Sequence, residues 1–262
     1  MALLFGASGS DRVNWGSGAT LDDAVDDSLT YLAWIYQNAG DLSGGIMTKG
    51  TSGGGGTRRS FELRDSVTDD ALFGIVDCAT TDAQAESAAG TMVTGVWQAV
   101  GMTYDHTTQV LSLYYGTLAT AIAEVSYASQ ITGSGDEGDN SALDQFVGCY
   151  GGGTTGSVAQ VIAFAAKYQR VLSLNEMKHV LYARGVVPGA VLNAELGFPA
   201  TTCLDRSGNG HTGTVTGATT SAHVPLPHPF QATRQRQRII RAAAAAGDAV
   251  PQCWAQYRRR AG

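Results

Sequence analysis

Five histidines are the first candidate catalytic residues in the sequence. They are His106, His179, His211, His223 and His228. They fall in a predicted hairpin turn, on a predicted helix or in the C-terminal part of the chain, and this scatter does not indicate a catalytic triad. A histidine in a turn is ordinarily solvated, and this is our prediction for His106.

A glycine run at 53–56 is the second candidate, because glycine-rich loops can cradle phosphates. The run lacks the G-K-[S/T] sequence of a phosphate loop, and the residues after it do not have a helical pattern. A nucleotide site is therefore not predicted there.

Two acidic segments could supply hard oxygen ligands for a cation. One contains Asp136, Glu137, Asp139 and Asn140, and the other contains Asp22, Asp23, Asp26 and Asp27. Neither has the spacing of an EF-hand loop. The favoured interpretation is a solvated acidic loop without an ion.

Charge is distributed unevenly between the two ends of the chain. The whole chain carries −6, whereas residues 234–262 carry +6, so residues 1–233 carry −12. Because the acidic body would repel a nucleic acid duplex, we expect the basic end to bind an acidic protein neighbour. The candidate partner-binding residues are Arg234, Arg236, Arg238, Arg241, Trp254, Tyr257, Arg258, Arg259 and Arg260.

The elements that must position these residues are predicted to be strands. Residues 97–115 form the clearest pattern, a β-hairpin with a polar turn at 105–108 and Trp97 in the core. Residues 29–36 are apolar on both faces, which is typical of a central strand. One helix is predicted, because Ser173 and Glu176 form a capping box and the pattern ends at Gly185.

The predicted domain organisation is a sandwich followed by an arm. Residues 1–199 read as the sandwich, and from about Ala200 the strand pattern gives way to Pro, Gly and Thr and then to Arg and Ala, so 200–262 is predicted to be an extended arm. No signal peptide and no membrane-spanning run is visible. Four cysteines, Cys78, Cys149, Cys203 and Cys253, have neither zinc-site nor framework spacing and are predicted to be unpaired, although a long-range disulfide remains open.

Taken in order, these pieces resemble the concanavalin A-like, LamG-type jelly roll. The resemblance covers about residues 3–185, from the opening Phe-Gly-Ala-Ser-Gly-Ser-Asp-Arg-Val at 5–13 to the closing Arg-Val-Leu-Ser-Leu-Asn-Glu-Met at 170–177. One piece is displaced: Asp-Arg-Ser-Gly-Asn-Gly at 205–210 precedes the first strand in many relatives but here follows the helix. A sandwich with neighbouring termini could hold it at much the same position.

The resemblance implies an all-β, antiparallel jelly-roll sandwich with one short helix and an extended C-terminal arm. It also implies that calcium at Asp136, Glu137, Asp139 and Asn140 is the alternative to an empty acidic loop. Glucanases of this fold carry E-x-D-x-E or E-x-D-x-x-E on one strand, and the nearest segment, 62–65, does not match. We therefore predict that the chain is not an enzyme.

For binding, Tyr150, Tyr104 and Trp15 are the candidate sugar-stacking aromatics, with core packing as the alternative. Proteins with such a sandwich and an arginine-bearing arm resemble tailed-bacteriophage virion proteins. The leading prediction is a capsid decoration protein, made in the host cytoplasm and attached through its arm to the major capsid protein or another virion protein, with self-association on the particle surface. The alternative is a carbohydrate-binding module on a phage tail or a secreted bacterial protein.

Overall fold

The computed structural model describes residues 1–6, 10–18, 21, 27–38, 44–50, 59–66, 69–137, 141–149, 159–185, 187–197 and 201–225. The chain divides into two compact units, Met1–Val224 and Pro225–Gly262. Beyond Pro225 the second unit lies outside the described residues, and so do all nine predicted partner-binding residues.

The described chain is almost entirely β-strand with one helix. The strands are β1 (Ala2–Phe5), β2 (Arg12–Asn14), β3 (Leu29–Gln37), β4 (Gly45–Gly50), β5 (Arg59–Asp65), β6 (Leu72–Val76), β7 (Ala83–Ser87), β8 (Trp97–Asp105), β9 (Val110–Thr117), β10 (Ala123–Glu124), β11 (Tyr127–Ile131), β12 (Gln145–Val147), β13 (Gln160–Tyr168), β14 (Ala190–Glu195), β15 (Thr202–Leu204), β16 (Thr212–Thr216) and β17 (Thr219–Ser221). The helix α1 is Leu174–Ala183.

Two antiparallel sheets form a sandwich, as predicted for the fold class. Sheet A has the order β10-β9-β8-β3-β13-β1-β17, with β14 also paired to β13. Sheet B has the order β11-β7-β6-β5-β4-β12-β2-β16-β15. Alternate side chains of each strand point between the sheets, where a continuous apolar core is buried.

The predicted central strand and hairpin lie side by side in the middle of sheet A. β3 pairs with β8 from Leu29 opposite Tyr104 to Tyr36 opposite Trp97, and β8 pairs with β9 along its length. The turn between β8 and β9 ends at Gln109, which has a φ of 52°. These two predictions are confirmed, apart from the position of Trp97, which is described with the site below.

The single predicted helix is also confirmed, together with its capping box. The Ser173 side chain accepts a hydrogen bond from the Glu176 amide, and the Glu176 side chain accepts one from the Ser173 amide. Hydrogen bonds from Arg170 and then from Ser173 lower the pKa of Glu176 to about 2. Met177, Val180 and Leu181 are the buried residues of α1.

Two fully buried lysines donate to the same backbone atom inside the sandwich. Lys49 lies on β4 and Lys167 on β13, and their Nζ atoms lie 2.7 Å and 2.9 Å from the carbonyl oxygen of Leu21. Buried ammonium groups require acceptors, so this carbonyl joins the two sheets at the start of the first acidic segment. Of that segment, Asp22, Asp23 and Asp26 lie outside the described residues.

The prediction that strands end near Ala200 is wrong. β15, β16 and β17 follow that point, β16 pairs with β2, and β17 pairs with β1. These three strands lie at or next to the sheet edges, are short and are rich in exposed threonine, so they lack the apolar alternation that marks the central strands. The sandwich therefore extends to Val224.

The displaced Asp-Arg-Ser-Gly-Asn-Gly segment joins β15 to β16. Asp205 Oδ1 accepts hydrogen bonds from the amides of Asn193 and Ser207, at 2.9 Å and 2.8 Å. The chain's first strand, β1, lies beside the last, β17, so the expected closeness of the two ends of the sandwich is confirmed.

Two further features of the sheets have no clear sequence pattern. β7, Ala83–Ser87, alternates only small and polar residues. The two-residue β10 and the following β11 lie in different sheets. Within the described ranges, no helix combines the length and the apolar composition needed to cross a membrane.

Candidate functional site

The acidic loop predicted as a possible calcium site begins at a buried polar cluster near the turn of the β8–β9 hairpin. Tyr104 donates a hydrogen bond to Glu137 Oε1, and His106 Nδ1 lies 3.0 Å and 3.1 Å from the two Glu137 oxygens. Cys78 Sγ is 3.7 Å from the Tyr104 hydroxyl. Burial is the main reason why the pKa of Tyr104 is raised, and the hydrogen bond to Glu137 adds to it.

This geometry engages both oxygens of Glu137 with protein groups. Asp136 is exposed and uses its backbone oxygen to accept from the Ala79 amide. Asp139 and Asn140 lie outside the described residues. No group of three or more metal-ligating side chains is found in the described part of the chain, and calcium at this loop stays a prediction.

His106 is therefore not a simple solvated turn residue. Its side chain is 31% exposed and pairs with Glu137, while its amide donates to the Ser28 hydroxyl at 3.1 Å. These contacts fix the hairpin turn against the loop before β3. The sequence pattern could not indicate this, because Glu137 is 31 residues away along the chain.

The two carboxylates of β5 do not form a catalytic pair. Glu62 faces away from the core and pairs with Arg64 Nε at 2.8 Å. Asp65 accepts a hydrogen bond from Gln37, whose strand lies in the opposite sheet, at 2.5 Å. Residues three apart on a strand lie on opposite faces, so these two groups cannot flank one glycosidic bond.

The aromatic residues predicted for sugar stacking do not fit that role where they are described. Tyr104 is completely buried and Trp15 is 5% exposed, so neither can offer a ring face to a ligand. Tyr150 lies outside the described residues. The alternative that the sequence left open, core packing, is the observed one for Tyr104 and Trp15.

A different aromatic pair lies on the outer face of sheet A. Trp34 and Tyr36 are two residues apart on β3 and share that face, and Trp97 pairs with Tyr36 across β3 and β8. The Tyr36 and Trp97 ring centroids are 5.5 Å apart at an interplanar angle of 58°. Both side chains are half-buried, and the prediction that Trp97 is a core residue is wrong.

Helix α1 covers the residue next to this pair on the same face but does not cover the pair itself. α1 covers the neighbouring Trp34, which is 1% exposed: its Nε1 donates to the Leu181 carbonyl at 2.8 Å, and its ring meets Tyr182 edge-on at 5.3 Å. Tyr36 lies two residues further along β3, where none of the described elements packs over it. Tyr36 and Trp97 therefore remain partly exposed.

We call this pair, Tyr36 and Trp97, the aromatic platform. In the turns next to it along the chain, Val93, Val96 and Leu118 are 44%, 38% and 43% exposed. The loop that carries the two valines is held by a hydrogen bond from the Gly95 amide to the Gln37 carbonyl at 2.9 Å. Gly95 has a φ of 81°, a conformation that favours glycine.

The alternation of β8 contained a signal for the platform. Val100, Met102 and Tyr104 belong to the core, which puts Trp97 on the opposite face. The pattern remained ambiguous because Ala99 and Gly101, on the same face as Trp97, are small and do not mark it as exposed.

Three of the four cysteines lie in the described residues, and these three thiols are unpaired. Cys78, Cys149 and Cys203 are free, and Cys149 and Cys203 are buried. Burial raises the pKa of Cys149 to about 12 and also raises that of Cys203. Cys253 lies outside the described residues.

No family model matches this sequence, and no curated protein matches it either. Among solved structures, the chain is similar to a heptameric SAP-like pentraxin from Limulus polyphemus, at 12% identity and a TM-score of 0.51, covering 82% of this chain and 95% of the pentraxin. It also aligns with the Ruminococcus gnavus IT-sialidase CBM40 bound to α2,3-sialyllactose, at 14% identity and a TM-score of 0.47, covering 65% and 92%.

A third solved structure is tailspike protein 2 from Escherichia coli O157:H7 bacteriophage CAB120. It aligns at 9% identity with a TM-score of 0.49, over 74% of this chain and 30% of the tailspike. At such identities a structural likeness concerns architecture, and function has to be argued from the site. The chain is thus an all-β protein whose two antiparallel sheets form a jelly-roll-like sandwich, similar in fold to the pentraxin.

Proposed function

We propose that this chain is a non-enzymatic recognition protein that binds carbohydrate on the aromatic platform of sheet A. The observation that carries the proposal is the contrast between Trp34, which α1 covers, and the adjacent Tyr36–Trp97 pair, which it leaves open. Partly exposed Tyr and Trp rings are common at binding surfaces, because each offers an apolar face and a polar group.

The chemistry of the platform suits the faces of sugar rings. Aromatic side chains supply a large, rigid, apolar contact area, and Tyr and Trp also carry a polar group for hydrogen bonding. Neither platform residue is charged. The expected ligand at this surface is therefore an uncharged face of a saccharide.

The carboxylates argue for recognition rather than hydrolysis. A glycosidase of this fold needs two carboxyl groups on one sheet face, whereas Glu62 and Asp65 lie on opposite faces. Two further carboxylates among the described residues are buried: Asp11 accepts a hydrogen bond from the Gly6 amide, and Glu137 is engaged by Tyr104 and His106.

A glycan array with the full chain tests this proposal. We expect saturable binding to a defined sugar, with calcium added and omitted in parallel, and loss of that binding in Trp97→Ala. Phe73→Ala is the matched control, because Phe73 is a half-buried aromatic on the outer face of sheet B beneath Arg64. Undiminished binding by Trp97→Ala, or no binding to any glycan, would refute the proposal.

A second candidate function is a structural protein of a tailed-phage virion, and the uneven charge favours it. Residues 234–262 carry +6 against −12 for residues 1–233, which suits a basic segment that attaches an acidic sandwich to an acidic neighbour. In this hypothesis the sandwich is a decoration or tail module, the partner is the major capsid protein or another virion protein, and copies associate on the particle.

Removing residues 231–262 tests the virion hypothesis. The deletion lies within the second compact unit, Pro225–Gly262, and leaves the sandwich unit Met1–Val224 intact. We expect the shortened chain to unfold cooperatively near the wild-type temperature but to stop co-sedimenting with virus particles. Co-sedimentation equal to that of the full chain would exclude attachment through this segment.

A further inference from the structure

A cationic cluster lies at the C-terminal end of α1, on the outer side of sheet A. It consists of Arg184, Arg206 and His223 around Glu195 on β14. Arg184 Nη1 lies 2.7 Å from Glu195 Oε1, and Arg206 Nη1 lies 2.9 Å from Glu195 Oε2. Arg184 Nη2 also contacts the His223 ring, at 3.1 Å from Nδ1 and 3.4 Å from Nε2.

The local backbone holds both arginines in place. Arg184 is the C-cap of α1, in the left-handed conformation with a φ of 50°, and its side chain is 9% exposed. Arg206 follows Asp205, whose carboxylate accepts from two backbone amides and from the Ser207 hydroxyl. The two guanidinium groups therefore approach Glu195 from the helix end and from the β15–β16 connection.

The cluster brings two guanidinium groups and, beside His223, the Met1 amino group against two carboxylates, those of Glu195 and the adjacent Asp205. Both oxygens of Glu195 already accept from an arginine, and two guanidinium groups remain charged at every ordinary pH. This excess of positive charge stands out because residues 1–233 carry −12. A local cationic site on an acidic domain is what an anionic ligand would require.

Donors remain for such a ligand. The Arg206 side chain is 53% exposed and uses Nη1 for Glu195. A planar guanidinium presents pairs of N–H groups that match the two oxygens of a carboxylate.

The pKa of His223 should respond to an anion bound at this cluster. The Val224 carbonyl can only accept, so His223 Nδ1, 2.9 Å away, carries the proton, and Nε2 is the ring atom that can accept from Arg184. Burial lowers the pKa of His223, and the charges of Arg184 and of the Met1 amino group lower it further, whereas the hydrogen bond to the Val224 carbonyl and, to a lesser extent, the charge of Glu195 raise it. An anion beside these groups would raise that pKa.

We propose that Arg184, Arg206 and His223 form a binding site for a carboxylate-bearing ligand. Arg206 provides the exposed guanidinium for the ligand, and Arg184 is the positioning residue that holds Glu195 and the imidazole. The proposal does not depend on the aromatic platform, and either can be wrong without the other.

An NMR titration of the full chain tests the proposal, with acetate and glucuronate as probes and glucose as the neutral control. We expect both acids to shift the His223 ring signals and to raise the pKa of His223, and glucose to leave them unchanged. Tighter binding of glucuronate than of acetate would identify a carboxylated sugar as the ligand class, and equal binding would identify a free carboxylate. Both outcomes support the site.

Variants separate the site from a general charge effect. Arg206→Gln should weaken acid binding about tenfold, the usual loss for one hydrogen bond to a charged group. Arg206→Lys should give an intermediate loss of acid binding, because lysine keeps the positive charge but lacks the paired N–H groups of the guanidinium. Lys178→Gln removes one charge from α1 outside the cluster and should bind like wild type. Absence of His223 shifts with either acid, or equal binding by wild type and Arg206→Gln, would overturn the proposal.

Discussion

Replacing Trp97 and Trp34 separately by alanine gives the sharpest test of the aromatic platform. The two residues lie on the same face of sheet A, on adjacent strands, and differ in whether α1 covers them. If the platform is a binding surface, Trp97→Ala should affect binding more than folding. Trp34→Ala should affect folding first.

The expected magnitudes follow from burial. Trp34 is 1% exposed, and removing such a side chain costs about 3–5 kcal/mol, to which the lost hydrogen bond to Leu181 adds about 1 kcal/mol. Trp97 is half-buried and loses chiefly its contact with Tyr36, about 1–2 kcal/mol. In a domain of this size 1 kcal/mol shifts Tm by about 2–4 °C. We therefore expect Tm to fall by about 8–24 °C for Trp34→Ala and by about 2–8 °C for Trp97→Ala.

Thermal unfolding followed by circular dichroism measures these differences, with glycan binding measured on the same samples at 25 °C. Phe73→Ala controls for removal of any half-buried aromatic. If Trp97→Ala lowers Tm as far as Trp34→Ala, Trp97 is a core residue and the reasoning fails. If Trp97→Ala retains both its Tm and its glycan binding, the platform is not the binding surface.

Three further outcomes are expected. Tyr104→Phe should lower the free energy of unfolding in urea at pH 7 by about 1–3 kcal/mol, because buried Glu137 loses a donor; a change below measurement error would contradict the hydrogen bond. The pKa of Glu176 is lowered to about 2, so the ionised carboxylate stabilises the fold fully above the ordinary pKa of a glutamate, and this stabilisation disappears as the pH falls towards 2. The difference in unfolding free energy between wild type and Glu176→Gln should therefore shrink as the pH is lowered through this interval. A difference that does not depend on pH would show that the pKa of Glu176 is not lowered. Cys149 and Cys203 should resist a disulfide reagent at pH 8 until the protein is unfolded, and rapid labelling of the native protein would show that the sandwich opens there.

Local sequence patterns were sufficient to predict those elements whose structure depends on residues close together in the chain. The β8–β9 hairpin, the buried strand β3 and the capping box of α1 each follow from periodicity or from one short-range contact. The edge strands β15 to β17 were missed because their exposed threonines resemble a loop. Their pairing partners, β1 and β2, lie about 200 residues earlier, and no local pattern indicates them.

The candidate sites depend on the same long-range pairing. Glu137 reaches His106 across 31 residues, and His223 reaches Arg184 across 39. Neither contact produces a recognisable pattern in the sequence. Sequence reasoning could propose the residue types, as it did for Glu137, but not their partners.

By itself, the sequence determined a body built of strands with one capped helix, and an acidic body followed by a basic end, because these properties follow from the alternation, capping and charge of neighbouring residues. The arrangement of the strands as a sandwich was implied by the family resemblance. The tertiary structure alone decided that α1 covers Trp34 and leaves Tyr36 and Trp97 open, and that two arginines meet one glutamate at the end of α1. Which side chains remain accessible depends on how distant elements pack, and the chain order of the residues does not contain that information.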